Sequence, residues 1–307
     1  MPMSDFYGRV QDSVAIAGIQ AALDAGMTFL DTADEYGPFV NEVVVGRALR
    51  GRREKAIVAS KFGYVRKATG EYLGIDGRPD YVRTACEASL ARLGIEEIDL
   101  YYQHRVDRSV PVEETVGAMG ELVGEGKVRY IGLCEVGPET VARAHSVHPI
   151  SAVQSEYSLF SRKPERFLLP ALREMGVGFV AYSPLGRGVL SGSFDPGAPP
   201  AAGDVRSTRY PRLQGDNAFR NGELAKRIGA LAESVRVTRS QLTLAWILWK
   251  GADIVPIPGS TSVEHIRENA AASELDVDPH VLQAVDSAIR EEEVAGERYF
   301  DMSLIEE

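Results

Sequence analysis

Seven short apolar runs, separated by stretches of helical periodicity, constrain this chain more than any other feature. They fall at residues 28–31, 56–60, 98–103, 130–134, 152–156, 177–182 and 254–257. The runs are mostly continuous rather than alternating, as strands buried on both faces are. The segments between them carry helix punctuation. Pro79 opens one helix, with Val82, Ala85, Cys86, Ser89 and Leu93 on one stripe and Gly94 at its end. Pro138 opens another, and Thr238 with Gln241 forms a capping box ahead of Leu242, Ala245, Trp246 and Trp249. Asp12 or Ser13 caps the first helix, which Gly26 stops. This rhythm predicts a parallel sheet covered by helices.

The choice lies between an open doubly wound sheet and a closed barrel. No G-x-G-x-x-G follows the early strands, so the common dinucleotide fingerprint is absent. Polar residues instead cluster just past the C-terminal ends of several strands, where barrel active sites are distributed. The predicted fold is α/β, a (β/α)8 TIM-type barrel, with all 307 residues in a single domain. Two long stretches, 62–78 and 185–221, read as irregular loops with a functional role.

The formal net charge is −10 and no Lys/Arg block stands out, which argues against a nucleic-acid partner. Two cysteines, Cys86 and Cys134, make no disulfide framework and suit a reducing compartment. The opening residues lack a secretory pattern, and the apolar stretch 242–249 is too short to span a bilayer. A soluble, cytoplasmic protein without a membrane partner is expected.

Asp31 and Tyr36 lie at and just beyond the end of the first run, Lys61 ends the second, and His104 ends the third. Taken singly, each has an ordinary explanation: a turn cap, a half-buried aromatic, a solvated lysine, a hydrogen-bonded rim residue. Together, a carboxylate, a phenol, an ammonium and an imidazole at successive strand ends form a proton-transfer set. A phenol near its reference value of about 10 is a poor acid at neutral pH. A neighbouring ammonium should lower that value, Asp31 should keep Lys61 charged, and His104 should orient a carbonyl oxygen. The set reads as a general acid aimed at an oxygen that becomes alkoxide-like.

With these residues in place the chain resembles the aldo-keto reductase family from MSDFYG to about Asn269. The motifs D-T-A-D-x-Y-G, Y-S-P-L-G-R-G-x-L and P-I-P-G-S-T carry the resemblance, together with Lys61 and His104. It implies NADPH-dependent reduction of an aldehyde or ketone in a barrel without a Rossmann domain.

The resemblance also implies a cofactor site. Gln154 matches the position that bonds the nicotinamide carboxamide, and Tyr182 the aromatic that stacks on its ring. Ser183, Leu185, Gly186 and Gly188 resemble the loop along the pyrophosphate, where glycines admit backbone N–H groups. Gly259, Ser260, Thr261, Glu268 and Asn269 resemble the segment around the adenosine and its 2′-phosphate, at a helix N-terminus. Cys134 stands where a serine often holds the carboxamide, and Glu135 where an asparagine often follows. The basic residue many members direct at the 2′-phosphate is missing near Gly259; Thr261, Ser262 and His265 are what the chain offers, with Arg206 able to fold over from the long loop. No metal site is expected. A small carbonyl compound is the implied partner, and a monomer the family-based expectation.

A cofactor-binding regulatory subunit of the same fold is the alternative; the intact tetrad favours an enzyme. A phosphate-binding barrel isomerase is a further rival. Finally, seven runs are one fewer than an eight-stranded barrel needs, and the first already follows a helix. The N-terminal segment MPMSDFYGRVQD reads as the loop after a missing first strand, so both that strand and the hairpin before it are expected to be lacking.

Overall fold

The structure is a computed structural model that describes Met3 and residues 10–67, 69–198 and 203–306. Its strands are β1 (Phe29–Asp31), β2 (Ile57–Phe62), β3 (Tyr64–Arg66), β4 (Tyr72–Ile75), β5 (Ile98–Gln103), β6 (Val128–Cys134), β7 (Ile150–Glu156), β8 (Gly178–Tyr182) and β9 (Ile254–Pro256). Seven form one sheet in the order β1-β2-β5-β6-β7-β8-β9, every neighbouring pair parallel. These are the seven runs of the sequence, with no end shifted by more than two residues.

Helices fill the crossovers: α1 (Asp12–Asp24), α2 (Val40–Ala48), α3 (Pro79–Leu93), α4 (Val112–Gly124), α5 (Pro138–Val147), α6 (Leu168–Met175), the short α7 (Arg206–Arg209), α8 (Gly215–Ser234), α9 (Arg239–Trp249), α10 (Val263–Ala271) and α11 (Pro279–Ala288). The stripe Val82, Ala85, Cys86, Ser89 and Leu93 is buried, and Gly94 ends α3 at φ 65°, a left-handed conformation that favours glycine. The Thr238–Gln241 capping box opens α9, but Trp249 stands exposed. Neither Asp12 nor Ser13 caps α1: Gln11 is the cap residue, without a side-chain bond, and Asp12 instead pairs with Arg47 at 2.6 Å.

One contact establishes that the sheet curls. Gln154 on β7 donates to Asp31 on β1 at 2.8 Å, although β2, β5 and β6 lie between them in the sheet order. In a flat sheet four strand spacings would hold these chains about 19 Å apart. The result is a barrel-like curl in which alternate side chains point to a narrow interior. Ala59, Leu100, Tyr102, Cys134, Ala152 and Val180 pack there as one small cluster, while Val58, Phe62, Tyr101, Leu133, Val153 and Phe179 join the larger core. The two-residue period then places Asp31, Lys61, Cys134, Gln154 and Tyr182 on the interior face at the strands' C-terminal ends.

The stretch 62–78 is more ordered than its composition suggests: β3 and β4 form an antiparallel hairpin with an irregularity between Val65 and Arg66. The stretch 185–221 contains α7 and the beginning of α8. Among the described residues β1 and β9 are the two ends of the sheet order. The expectation about the segment ahead of Ser13 falls largely on residues 1–2 and 4–9, outside the described residues; Met3 and Val10 pack on the core. Among the described residues no helix is long and apolar enough to cross a membrane.

Candidate active site

At the C-terminal mouth of the sheet lies a cavity of about 930 Å³. Its floor is ionic. Lys61 is fully buried and its Nζ donates to Asp31 Oδ1 at 2.5 Å, to Thr32 O at 2.9 Å and to Tyr36 Oη at 3.4 Å. β1 and β2 bring these groups together because Asp31 pairs in register with Ala59, two residues before Lys61. Burial disfavours the ammonium, but Asp31, together with Tyr36 and Cys134, outweighs it and holds Lys61 above the usual lysine range.

Tyr36 behaves otherwise than the pair logic of its neighbours predicts. Burial pushes its phenol up, and although Lys61 opposes this, Asp31 reinforces it. Burial is the largest influence, and the favourable field of Lys61, partly offset by Asp31, does not overcome it. Tyr36 therefore holds its proton. His104 sits edge-on to Tyr36, ring centroids 6.0 Å apart, and edge-on to Tyr64 at 5.0 Å. Burial, with Lys61 and Arg105 nearby, keeps the imidazole well below its usual value and so neutral. Its Nδ1 is buried without a hydrogen-bond partner, 3.7 Å from Glu35 Oε1.

The cavity runs from Asp31, Tyr36 and His104 past Cys134, Gln154 and Tyr182 to Ser183, Leu185, Gly188 and Arg206, and on to Gly259, Ser260, Thr261, Glu268 and Asn269. Lys61 lies beneath the floor rather than on the wall. Gly186 faces Leu190 and Phe160 instead of the cavity. The Gly186 and Gly188 amides already donate to Ser183 O and Leu185 O, at 2.9 and 3.1 Å, so this turn uses N–H groups that the sequence suggested for a pyrophosphate. Burial pushes the Cys134 thiol up to about 12, so it remains a weak neutral hydrogen-bonding group.

Tyr182 is held by its hydroxyl, which donates to Glu135 Oε1 at 2.5 Å and lies 2.9 Å from Tyr299 Oη. Arg206 lines the cavity but is tied to Asp204 at 2.6 Å. At the far end Ser262 caps α10 by accepting from His265 N, and Glu268 accepts from Thr238 at 2.5 Å. Tyr299 lines the cavity, whereas Phe300 is exposed.

Glu35, Arg105, Arg187 and Arg298 were not singled out by the sequence. Arg105 could have been, because it directly follows His104. Arg298 carried no local signal; its partner is 163 residues away.

An elongated cavity with a protonated phenol at one end, an amide and a ring at its middle, and hydroxyls near a helix N-terminus at the other fits a nicotinamide dinucleotide with room for a small substrate. The profile described as "Aldo/keto reductase family" matches residues 1–290. A "Probable aldo-keto reductase 1" of Glycine max is 45% identical over 293 residues, covering 95% of this chain and 84% of that protein. The fold is similar to a glycerol dehydrogenase of Gluconobacter oxydans, with a TM-score of 0.84 at 28% identity over 94% of this chain and 88% of that one. It is also similar to an aldo/keto reductase of Klebsiella pneumoniae in complex with NADP and acetate, with a TM-score of 0.72 at 28% identity over 96% and 91% of the two chains.

Proposed function

Since the chain belongs to the aldo/keto reductase family, we propose that it reduces an aldehyde or ketone to an alcohol with NADPH, Tyr36 delivering the proton. The observation that carries this reading is Lys61, buried between Asp31 at 2.5 Å and Tyr36 at 3.4 Å on the cavity floor. Bound NADPH supplies the hydride that the carbonyl carbon takes up.

The chain's own residues do the rest. His104, neutral, hydrogen-bonds the carbonyl oxygen and orients it toward Tyr36. Tyr36, still protonated before reaction, donates to that oxygen as negative charge develops on it. Lys61 then stabilises the phenolate that proton donation leaves, a role that does not require a lowered value beforehand. Asp31 keeps Lys61 charged. Gln154 and Cys134 hold the carboxamide, and Tyr182, fixed by Glu135, presents its ring to the nicotinamide. Ser183, Leu185, Gly188 and Arg206 would follow the pyrophosphate, with Gly186 shaping the turn behind them; Gly259, Ser260, Thr261, Glu268 and Asn269 would surround the adenosine end. All of this lies within one barrel domain over residues 1–307.

The test is steady oxidation of NADPH, followed at its absorbance, with a panel of aldehydes and ketones. Turnover that depends on both the carbonyl compound and NADPH is the expected result. Tight NADPH binding without turnover of any carbonyl would overturn it and favour a cofactor-binding regulatory subunit.

A further inference from the structure

Arg105 is a buried cation in the wall of the cavity that the proposed reaction does not use. It is 7% exposed, and its Nε is buried with no hydrogen-bond partner. Its Nη1 donates to His104 O at 2.6 Å, a neutral acceptor. Among the described residues no carboxylate lies within ion-pair distance of it. Three other arginines at or near the cavity have carboxylate partners: Arg187 with Glu156 at 2.8 Å, Arg206 with Asp204 at 2.6 Å and Arg298 with Glu135 at 2.9 Å. A charge taken out of water without a counter-ion is costly, so a buried, unmatched guanidinium on a cavity wall calls for an anion from the solvent side.

Its position says which anion. Arg105 follows His104 at the end of β5, and its guanidinium lies 5.7 Å from the centroid of the Tyr64 ring. Tyr64 in turn meets His104 edge to face at 5.0 Å. One ring thus separates the cation from the imidazole beside Tyr36. Two carboxylates act on Arg105 from a distance, Glu135 and Glu35, and neither pairs with it directly. Glu135 is bonded to Arg298 and Tyr182, while Glu35 lies beside His104 and feels Arg66 and Arg209 as well as Arg105.

We propose that Arg105 is the specificity-determining residue for a carbonyl substrate that carries an anionic group, a carboxylate or a phosphate, a few bonds from the carbonyl. The proposal rests on the reductase reading above: with the carbonyl oxygen at Tyr36 and His104, the anion reaches Arg105 across the Tyr64 ring. Charge-assisted pairing with a planar guanidinium is among the stronger contacts a small ligand can make.

The experiment compares kcat/KM within two matched pairs: 4-oxobutanoate against its methyl ester, and glyceraldehyde 3-phosphate against glyceraldehyde. In the wild type the charged member of at least one pair is preferred by roughly 10- to 100-fold, and the pair with the larger ratio identifies the anion. That ratio falls toward one in Arg105→Met and is partly kept in Arg105→Lys; being a ratio, it cancels any general loss of activity in a variant. A ratio near one for both pairs in the wild type, or one unchanged in Arg105→Met, overturns the proposal. Calorimetric titration with succinate supplies a readout independent of turnover: binding to the wild type that weakens at least tenfold in Arg105→Met supports the site, and equal or no binding to both counts against it. Failure of the reductase reading is separately visible, as the absence of NADPH oxidation with all four carbonyl compounds.

Discussion

Arg298 grips the carboxylate of Glu135 with two hydrogen bonds, 2.9 and 3.1 Å long, across 163 residues of chain. Oε1 of the same carboxylate accepts from Tyr182 Oη and from Glu156 N. Glu135 sits at φ 54°, a left-handed conformation that a β-carbon disfavours and that these contacts hold in place. The pair ties the C-terminal segment to the strand ends and fixes the aromatic ring on the cavity wall.

Glu135→Gln removes the charge while keeping the shape and takes from the buried Arg298 its nearest counter-charge, while Glu156 still acts on it. Breaking a buried pair from one side typically costs about 3–5 kcal/mol. Because Glu156 remains, the expected loss lies near the lower figure. Urea unfolding measures it, and the double variant Glu135→Gln with Arg298→Met should recover part of the loss; a midpoint unchanged from wild type would contradict this account.

Tyr36→Phe takes away the proton donor and leaves the Lys61–Asp31 pair intact. General acids are typically worth ~10²- to 10⁴-fold, so reductase turnover should fall within that range while NADPH binding, followed by fluorescence titration, is kept. Turnover within a few-fold of wild type would remove Tyr36 from its role.

His104 makes stability depend on pH. Its folded value is depressed below the ordinary 6.5, so below that pH the unfolded chain binds a proton that the folded protein refuses. Stability from this residue is thus fully present above about pH 7 and is lost as the pH falls through 6.5 toward the folded value. The slope can reach about 1.4 kcal/mol per pH unit for one proton. Denaturation midpoints of wild type and His104→Gln between pH 7.5 and pH 5 should diverge in slope; parallel lines would show that the imidazole protonates freely in the fold.

Preference for NADPH over NADH should be present but modest. The hydroxyls at 260–262 and the start of α10 can serve a 2′-phosphate, but no arginine or lysine stands among the cavity-lining residues of that segment. The ratio of kcat/KM for the two cofactors measures this, and a clear preference for NADH would refute it. Introducing a cation with Gly259→Lys should raise the ratio.

Strand positions and sheet class were legible from the residues alone, because a strand buried on both faces needs an unbroken apolar run and local order suffices to reveal it. The Pro79, Pro138 and Thr238 helix starts and the Gly94 stop were legible for the same reason: each acts on its own turn of backbone. Asp31, Lys61 and His104 could be picked out because strand ends fall at one rim of a parallel sheet. The β3–β4 hairpin escaped notice, since Tyr64, Arg66 and Tyr72 lack a clean apolar alternation and one face packs beside His104 and Arg105. What remained required the closed fold. The direction in which Tyr36 shifts depends on how completely Asp31 cancels Lys61 and on how much water burial removes, and neither is a property of neighbours in sequence. The Gln154–Asp31 contact, the Glu135–Arg298 pair and the unmatched charge of Arg105 likewise exist only because curling the sheet brings distant strand ends to within a few ångströms, where charge, burial and partner are decided together.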